Sequence, residues 1–418
     1  MSPKIAKYLY LLSIGFLFYR GPKFGLVKYA DIAIILAAGA YLISYRRKIR
    51  LPATIPYLLT TFFLSMLISL LHSPLPLSSN SIFDIFRYVL VFVLFGMTFH
   101  YVSTAKIRFT VLRNTFLLAG LPSISLSIGA FALFQVGYTP VWVISFLHRP
   151  TEARTMPLFY DPNHYGSVVT IGYLFACHYA IAHLRKEPHS VLSVSIIILP
   201  ALFAFAAFTT GSRTAIGVVF TTTILLTAIF IIQAVQISVL RHVLPSAVVF
   251  GVLLLIGYQL WLPDAIQFVL LLLRLDFRNG GVLTSLNIRY SLWKGAFRTW
   301  IDHPLFGVGP NNYIHYIPYL PDEWRPERAN YPHNMYLGLL AELGVTGFIL
   351  AGTIIGITAK RVSKVAFHWP TSRNVITFTL LLAMLEWGFF LDIFTSRRLW
   401  FIFGLAHAIG SQEIDSGN

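Results

Sequence analysis

The sequence predicts an all-α, polytopic membrane protein, and three observations point there. Hydrophobic residues make up 56% and charged residues 11% of the 418-residue chain, with a mean hydropathy of +0.70, whereas soluble domains carry roughly 25% charged residues. Apolar windows of about 20 residues, the length at which a helix crosses hydrocarbon while satisfying its own backbone, recur along the chain. One long polar stretch, residues 262–332, interrupts them. The predicted organisation is about twelve transmembrane helices: nine over 1–261, an outer loop or cap over 262–332, three more over 333–410 and a short tail over 411–418.

In order, the spans centre near residues 12, 35, 63, 92, 122, 173, 199, 223, 251, 346, 382 and 404. The first is expected to stay as a helix, because residues 1–7 lack the pattern of a cleavable signal and no small-residue cleavage site precedes Tyr19. The fifth contains Pro122, which predicts a kink. With the N-terminus inside, sixteen lysines and arginines fall in inside segments and eight in the short outside loops. The positive-inside rule then makes both termini cytoplasmic and puts the long loop outside. The formal charge of +16 is spread over loops at both faces, which suits membrane lipid headgroups and argues against nucleic acid. Cys177, the one cysteine, leaves no intrachain disulfide or thiolate cluster and reads as a small buried hydrophobe.

Within the loop, 264–275 is apolar but too short to span and is expected to lie along the interface. Residues 287–301 place Ile288, Leu292, Phe297 and Trp300 at near-helical spacing between basic residues, an amphipathic helix over the bundle. Residues 306–312 read as a tight non-helical turn, and 318–332, with four prolines, as an extended, exposed lid.

Chemistry is sought where cations and a histidine meet the water-lipid boundary. Arg213 follows Gly211 and Ser212 in a hydroxyl-rich turn before a helix, where free N–H groups and an arginine fork suit phosphate oxygens. Anchoring to headgroups is the alternative there. Arg289 lies on the amphipathic helix, where a solvated face is the plainer reading. His333 opens an apolar helix directly after the loop, and its near-neutral titration suits proton exchange with a lipid-borne substrate. Asn334 and Tyr336, with Glu342 and Gly344, make the outer half of that helix unusually polar. Asn163, in the turn from Asp161 to Tyr165, is read as a helix cap or a substrate contact. Glu386, Asp392, Arg397 and Arg398 are expected to pair with one another. No Asp-x-Asp pair appears for magnesium on a sugar diphosphate, so a mechanism without metal or cofactor is expected.

Four blocks, GSRTA at 211–215, IRYSLWKGAF at 288–297, HPLFGVGPNNY at 303–313 and HNMYLGLLAELGVTGF at 333–348, occur in this order around the large loop. In them the chain resembles the O-antigen ligase and polymerase superfamily. The resemblance implies a GT-C-like glycosyltransferase of the bacterial inner membrane that takes a glycan from undecaprenyl diphosphate on the periplasmic side. For a ligase the acceptor is a sugar hydroxyl of the lipid A core. It also implies that Arg213, Arg289 and His333 are catalytic, the arginines on the leaving diphosphate and His333 as base in an inverting displacement. Ser212, Asn334 and Tyr336 are expected to contact substrate beside them. Size and a short C-terminal tail favour ligase over protein O-oligosaccharyltransferase. A repeat-unit polymerase is the nearest alternative, and a lipid-linked-glycan transporter is the rival from another class.

Overall fold

Residues 2–18, 29–45, 54–77, 79–149, 152–157, 159, 161–184, 191–235, 281–326 and 331–416 are described by the computed structural model. In chain order they form α1 (Pro3–Gly15), α2 (Tyr29–Tyr45), α3 (Thr54–Leu71), α4 (Ser79–Ser103), α5 (Phe109–Gln135), α6 (Val141–Ile144), strands β1 (Leu147–Arg149) and β2 (Glu152–Thr155), α7 (Pro162–Leu184), α8 (Val191–Thr209), α9 (Arg213–Val235), α10 (Gly281–Asp302), α11 (Tyr313–Tyr316), α12 (Met335–His368), α13 (Ser372–Gly388) and α14 (Arg397–Ser416). The expected span near 251 and the interfacial stretch 264–275 lie outside the described residues. Each of the other eleven predicted centres falls inside one of these helices.

Six helices are long and apolar enough to cross a membrane, Thr54–Leu71, Ser81–Ser103, Phe109–Gln135, Pro162–Leu184, Arg213–Phe230 and Met335–His368, and two shorter ones, Tyr29–Tyr45 and Ile196–Thr209, are apolar. The predicted twelve therefore outnumber the helices that meet this standard among the described residues. The physical reason is visible in α14, which packs against α4, α12 and α13 and is buried at every position from Leu399 to Gly410. A helix enclosed by protein rather than lipid tolerates His407, whose imidazole bonds Thr358 at 2.8 Å. α5 runs through Pro122 as one element.

An antiparallel hairpin departs from the all-α expectation. β1 and β2 pair with Leu147 opposite Thr155 and Arg149 opposite Glu152. The hairpin is tied to the bundle by hydroxyls: Thr155 donates to Thr209 at 3.0 Å, and Ser127 of α5 bonds Thr209 at 2.8 Å. This seats Arg154 against the turn that precedes α9, where its Nε donates to the Thr210 carbonyl at 3.3 Å.

The real interruption of a membrane helix is at Gly344 of α12, whose φ of 63° and ψ of −168° leave the helical region. A break at this depth strands carbonyls and N–H groups that hydrocarbon will not solvate. The turn 304–309 takes them instead. Val308 and Gly309 donate to the Ala341 and Glu342 carbonyls at 3.0 and 2.9 Å, while Val345 and Thr346 donate to Pro304 and Leu305 at 2.8 and 3.2 Å. The two backbones approach so closely that a Cβ on Gly344 would lie 2.4 Å from the Leu305 carbonyl carbon, and one on Gly307 2.4 Å from that of Glu342. The predicted non-helical turn at 306–312 is thus the partner of a broken helix, and the joint fixes α10 against the outer half of α12.

The proline-rich segment is not an extended lid over its described part. It forms two short 3-10 turns, Ile317–Tyr319 and Asp322–Trp324. Arg325 donates to the Pro318 and Leu320 carbonyls, both at 3.0 Å, and Lys294 of α10 donates to the Glu323 carbonyl at 2.7 Å while lying over the Trp324 ring. Proline removes donors but leaves carbonyls, and here those carbonyls collect cations from α10 and the turn itself.

Candidate active site

Three helix N-termini meet at one end of the bundle, and each begins at a side-chain cap. Asp161 starts α7, accepting from the Asn163 and His164 N–H groups at 2.7 and 3.1 Å. Ser212 starts α9, accepting from Ala215 N–H at 3.3 Å. Asn334 starts α12, accepting from Tyr336 and Leu337 N–H at 3.0 Å each. Ser212 also donates to Asn163 Oδ1 at 2.8 Å, which pins the first two termini together. The cap of α7 is therefore Asp161, and the sequence reading that gave capping to Asn163 is corrected: Asn163 bridges to the Gly-Ser-Arg turn. The partial positive ends of these helices favour an anion between them.

Arginines add to that field. Arg213 is the first residue of α9, exposed, at the helix end where a cation is least welcome unless an anion is present. Arg289 projects from α10 with its guanidinium 5.8 Å from the Phe390 ring centre. Burial, and after it the Arg213 charge, pull the Arg289 pKa down; Arg154 acts in the same direction and Asp161 opposes them. The guanidinium nonetheless stays charged near neutral pH, and an anion placed beside it would relieve both its burial and the neighbouring positive charge. The sequence signals at Arg213 and Arg289 have no counterpart at Arg154. Nothing local marks Arg154, because only the hairpin brings it to the turn.

His333 adjoins this cluster. Burial, then the Arg289 charge, hold its imidazole below the ordinary value, with Asp161 pulling the other way. Its backbone sits in the left-handed region at φ 51°, a conformation that histidine tolerates better than most side chains. The three residues first singled out therefore share one electrostatic neighbourhood. Their expected polar companions are occupied otherwise. Asn334 caps and donates to the Phe389 carbonyl at 3.3 Å, Tyr336 donates to the Leu385 carbonyl at 3.0 Å, and Ser212 caps α9. These three position the site's backbone rather than present free groups to it.

His333 also lines a cavity of about 310 Å³ whose wall carries Asp31, Asp84, Asp392, Arg87, Arg397 and Arg398. Neither Arg213 nor Arg289 lines this cavity. The expected pairing among Glu386, Asp392, Arg397 and Arg398 gives way to partners from other helices. Arg397 Nε donates to Asp31 of α2 at 2.9 Å, Arg398 binds the His164 carbonyl and Ser167 of α7, and Glu386 accepts from Thr221 of α9 at 2.7 Å. Arg87 pairs with Asp84 one turn before it. Asp84 went unremarked in the sequence, although an acid inside an apolar segment is itself a signal of function.

Comparison with known families bears on this geometry. Residues 198–352 match the family model described as O-antigen ligase. The match supports the O-antigen ligase and polymerase superfamily and covers less than half of the chain. No curated protein matches the chain. The matched segment holds Arg213, Arg289, His333 and the Gly307–Gly344 joint, while Arg154, Asp161 and the walls contributed by α2, α4 and 389–398 lie outside it.

Proposed function

We propose that this chain is an O-antigen ligase, transferring a glycan from undecaprenyl diphosphate to a sugar hydroxyl of the lipid A core on the periplasmic face of the inner membrane, with both termini cytoplasmic. The observation that carries the reading is the convergence of Arg154, Arg213 and Arg289 on three helix N-termini beside a depressed imidazole. A diphosphate leaving group gains negative charge as its bond to the sugar breaks. Preorganised guanidinium groups in a partly desolvated site stabilise that charge without a metal.

The step balances as a single displacement. The acceptor oxygen forms a bond to the anomeric carbon as the carbon–oxygen bond to the diphosphate breaks, and that electron pair leaves with the diphosphate. The acceptor proton passes to His333, which burial, and after it the Arg289 charge, keep neutral and able to accept it. Attack from the face opposite the leaving group inverts the anomeric centre. Ser212, Asn334 and Tyr336 hold the helix starts in register.

The test is purified protein in liposomes with lipid-linked glycan and lipid A core and no energy source. A covalent glycan–lipid A product supports the ligase. Elongated lipid-linked glycan from a second donor molecule assigns a polymerase instead, and movement of the donor across the bilayer without product assigns a transporter.

A further inference from the structure

The cavity beside His333 differs from the arginine cluster in a way that names its ligand. Its charged wall carries three guanidinium groups and three carboxylates, and two of the arginines are paired there, Arg87 with Asp84 and Arg397 with Asp31. With two of its arginines already neutralised, this wall has less demand for phosphate than the arginine cluster. What it offers is a dense set of fixed donors and acceptors, to which Asn311 and Tyr331 add an amide and a phenol. Burial beside Asp84 pushes the Asp392 carboxyl up, so this group both donates and accepts near neutral pH. Hydroxyls that are donor and acceptor at once match such a wall, and about 310 Å³ accommodates one or two sugar rings rather than a polymer.

We infer that this cavity is the acceptor subsite, holding an uncharged sugar whose hydroxyl is delivered to His333 from the side opposite the arginines. The inference rests on the glycosyl-transfer reading and adds to it a place for the nucleophile. His333 is on the cavity wall and also feels Arg289, so a sugar hydroxyl held in the cavity would reach the imidazole, and the anomeric carbon would lie between that hydroxyl and a diphosphate on the arginines. Most of the charged wall comes from α2, α4 and the segment after α13, outside the matched residues 198–352. The part of the chain that resembles the family thus holds the reacting groups, and the part beyond it shapes the cavity.

The experiment is steady-state transfer in liposomes, with KM measured separately for the acceptor that gives product and for the lipid-linked glycan donor. Asp84→Asn removes the charge that fixes Arg87, and Thr395→Trp fills the cavity from its wall without altering any charge. Each is expected to raise the acceptor KM about tenfold or more, the scale of a lost charge-assisted hydrogen bond, while the donor KM stays within about twofold. Equal rises in both constants, or an unchanged acceptor KM in Thr395→Trp, overturn the subsite and leave the transferase reading intact. Should both variants fail to fold, saturation-transfer NMR on the wild-type protein with delipidated core oligosaccharide decides: ring-proton contacts that Tyr331→Phe weakens support the subsite, and their absence overturns it. No covalent product from the wild type in any acceptor arm would instead defeat the reading on which the subsite depends.

Discussion

The two sides of His333 solve different recognition problems with the same residue types. On one side the Arg213 and Arg154 charges both bear on buried Arg289, Asp161 opposes them, and three helix N-termini add to the positive field. On the other, Arg87 is neutralised by Asp84 within α4 and Arg397 of α14 by Asp31 of α2, while Arg398 is held by the His164 carbonyl and Ser167 of α7. An unbalanced cluster is costly to fold and is repaid only when an anion arrives, whereas a balanced one is a structural lattice that also presents hydrogen-bonding groups. The contrast teaches that counting arginines in a membrane protein says little until their partners are known.

Both sides depend on the joint at Gly344, so the largest effect is expected there. Gly344→Ala puts a Cβ against the Leu305 backbone at a positive φ. The strained backbone alone costs about 1–3 kcal/mol, and displacement of the 304–309 turn adds to it. Detergent-solubilised protein should be lost or aggregated on size exclusion. A monodisperse variant with wild-type thermal stability would show that the joint does not hold the two sides together.

Next comes the unbalanced side. Arg289→Ala is expected to lower the turnover of well-inserted protein by about 10² to 10³ or more, as for a lost oxyanion donor. Arg289→Lys should fail as well, because an ammonium does not reproduce the planar fork. Retained activity in the lysine variant would reduce Arg289 to a surface charge. His333→Ala should cost about 10² to 10⁴, and near-normal product would remove this residue from the displacement. Arg154→Ala is expected to cost about tenfold, since its Nε is already engaged by the Thr210 carbonyl. A loss as deep as that of Arg289 would make Arg154 an equal partner on the diphosphate.

Much of this was legible in the chain, for reasons that differ by region. Helix positions followed from apolar windows because hydrocarbon leaves the backbone no alternative, and the turn at 306–312 followed from its Gly and Pro content. A Gly-Ser turn draws the eye to Arg213 and a polar helix start to His333, whereas Arg289 on an amphipathic stripe reads first as a solvated cation and is singled out only through the resemblance. Arg154 had no such signal, since a hairpin must form before it reaches Thr210. The partners of Arg397 and Arg398 were misread because nearest acids in sequence were preferred to Asp31, which is 366 residues from Arg397. Asn334 and Ser212 were read as substrate contacts although Asn and Ser before an apolar run are, first, helix caps.

The smallest expected effect is the sharpest test of the imidazole. His333 is held below its ordinary pKa by burial and Arg289, and Asp161 partly offsets this. A general base acts when neutral, so kcat/KM should rise with pH through the lowered pKa and level off above it. The acidic limb should therefore lie below the usual imidazole range. Asp161→Asn removes the opposing charge but keeps a residue that caps helices about as well. The limb should then move to still lower pH, with the plateau within a few-fold of wild type. Activity that falls rather than rises with pH through that pKa would mean that protonated His333 is the working form, holding the diphosphate rather than accepting the proton, and the arginine side of the comparison would then extend across the histidine.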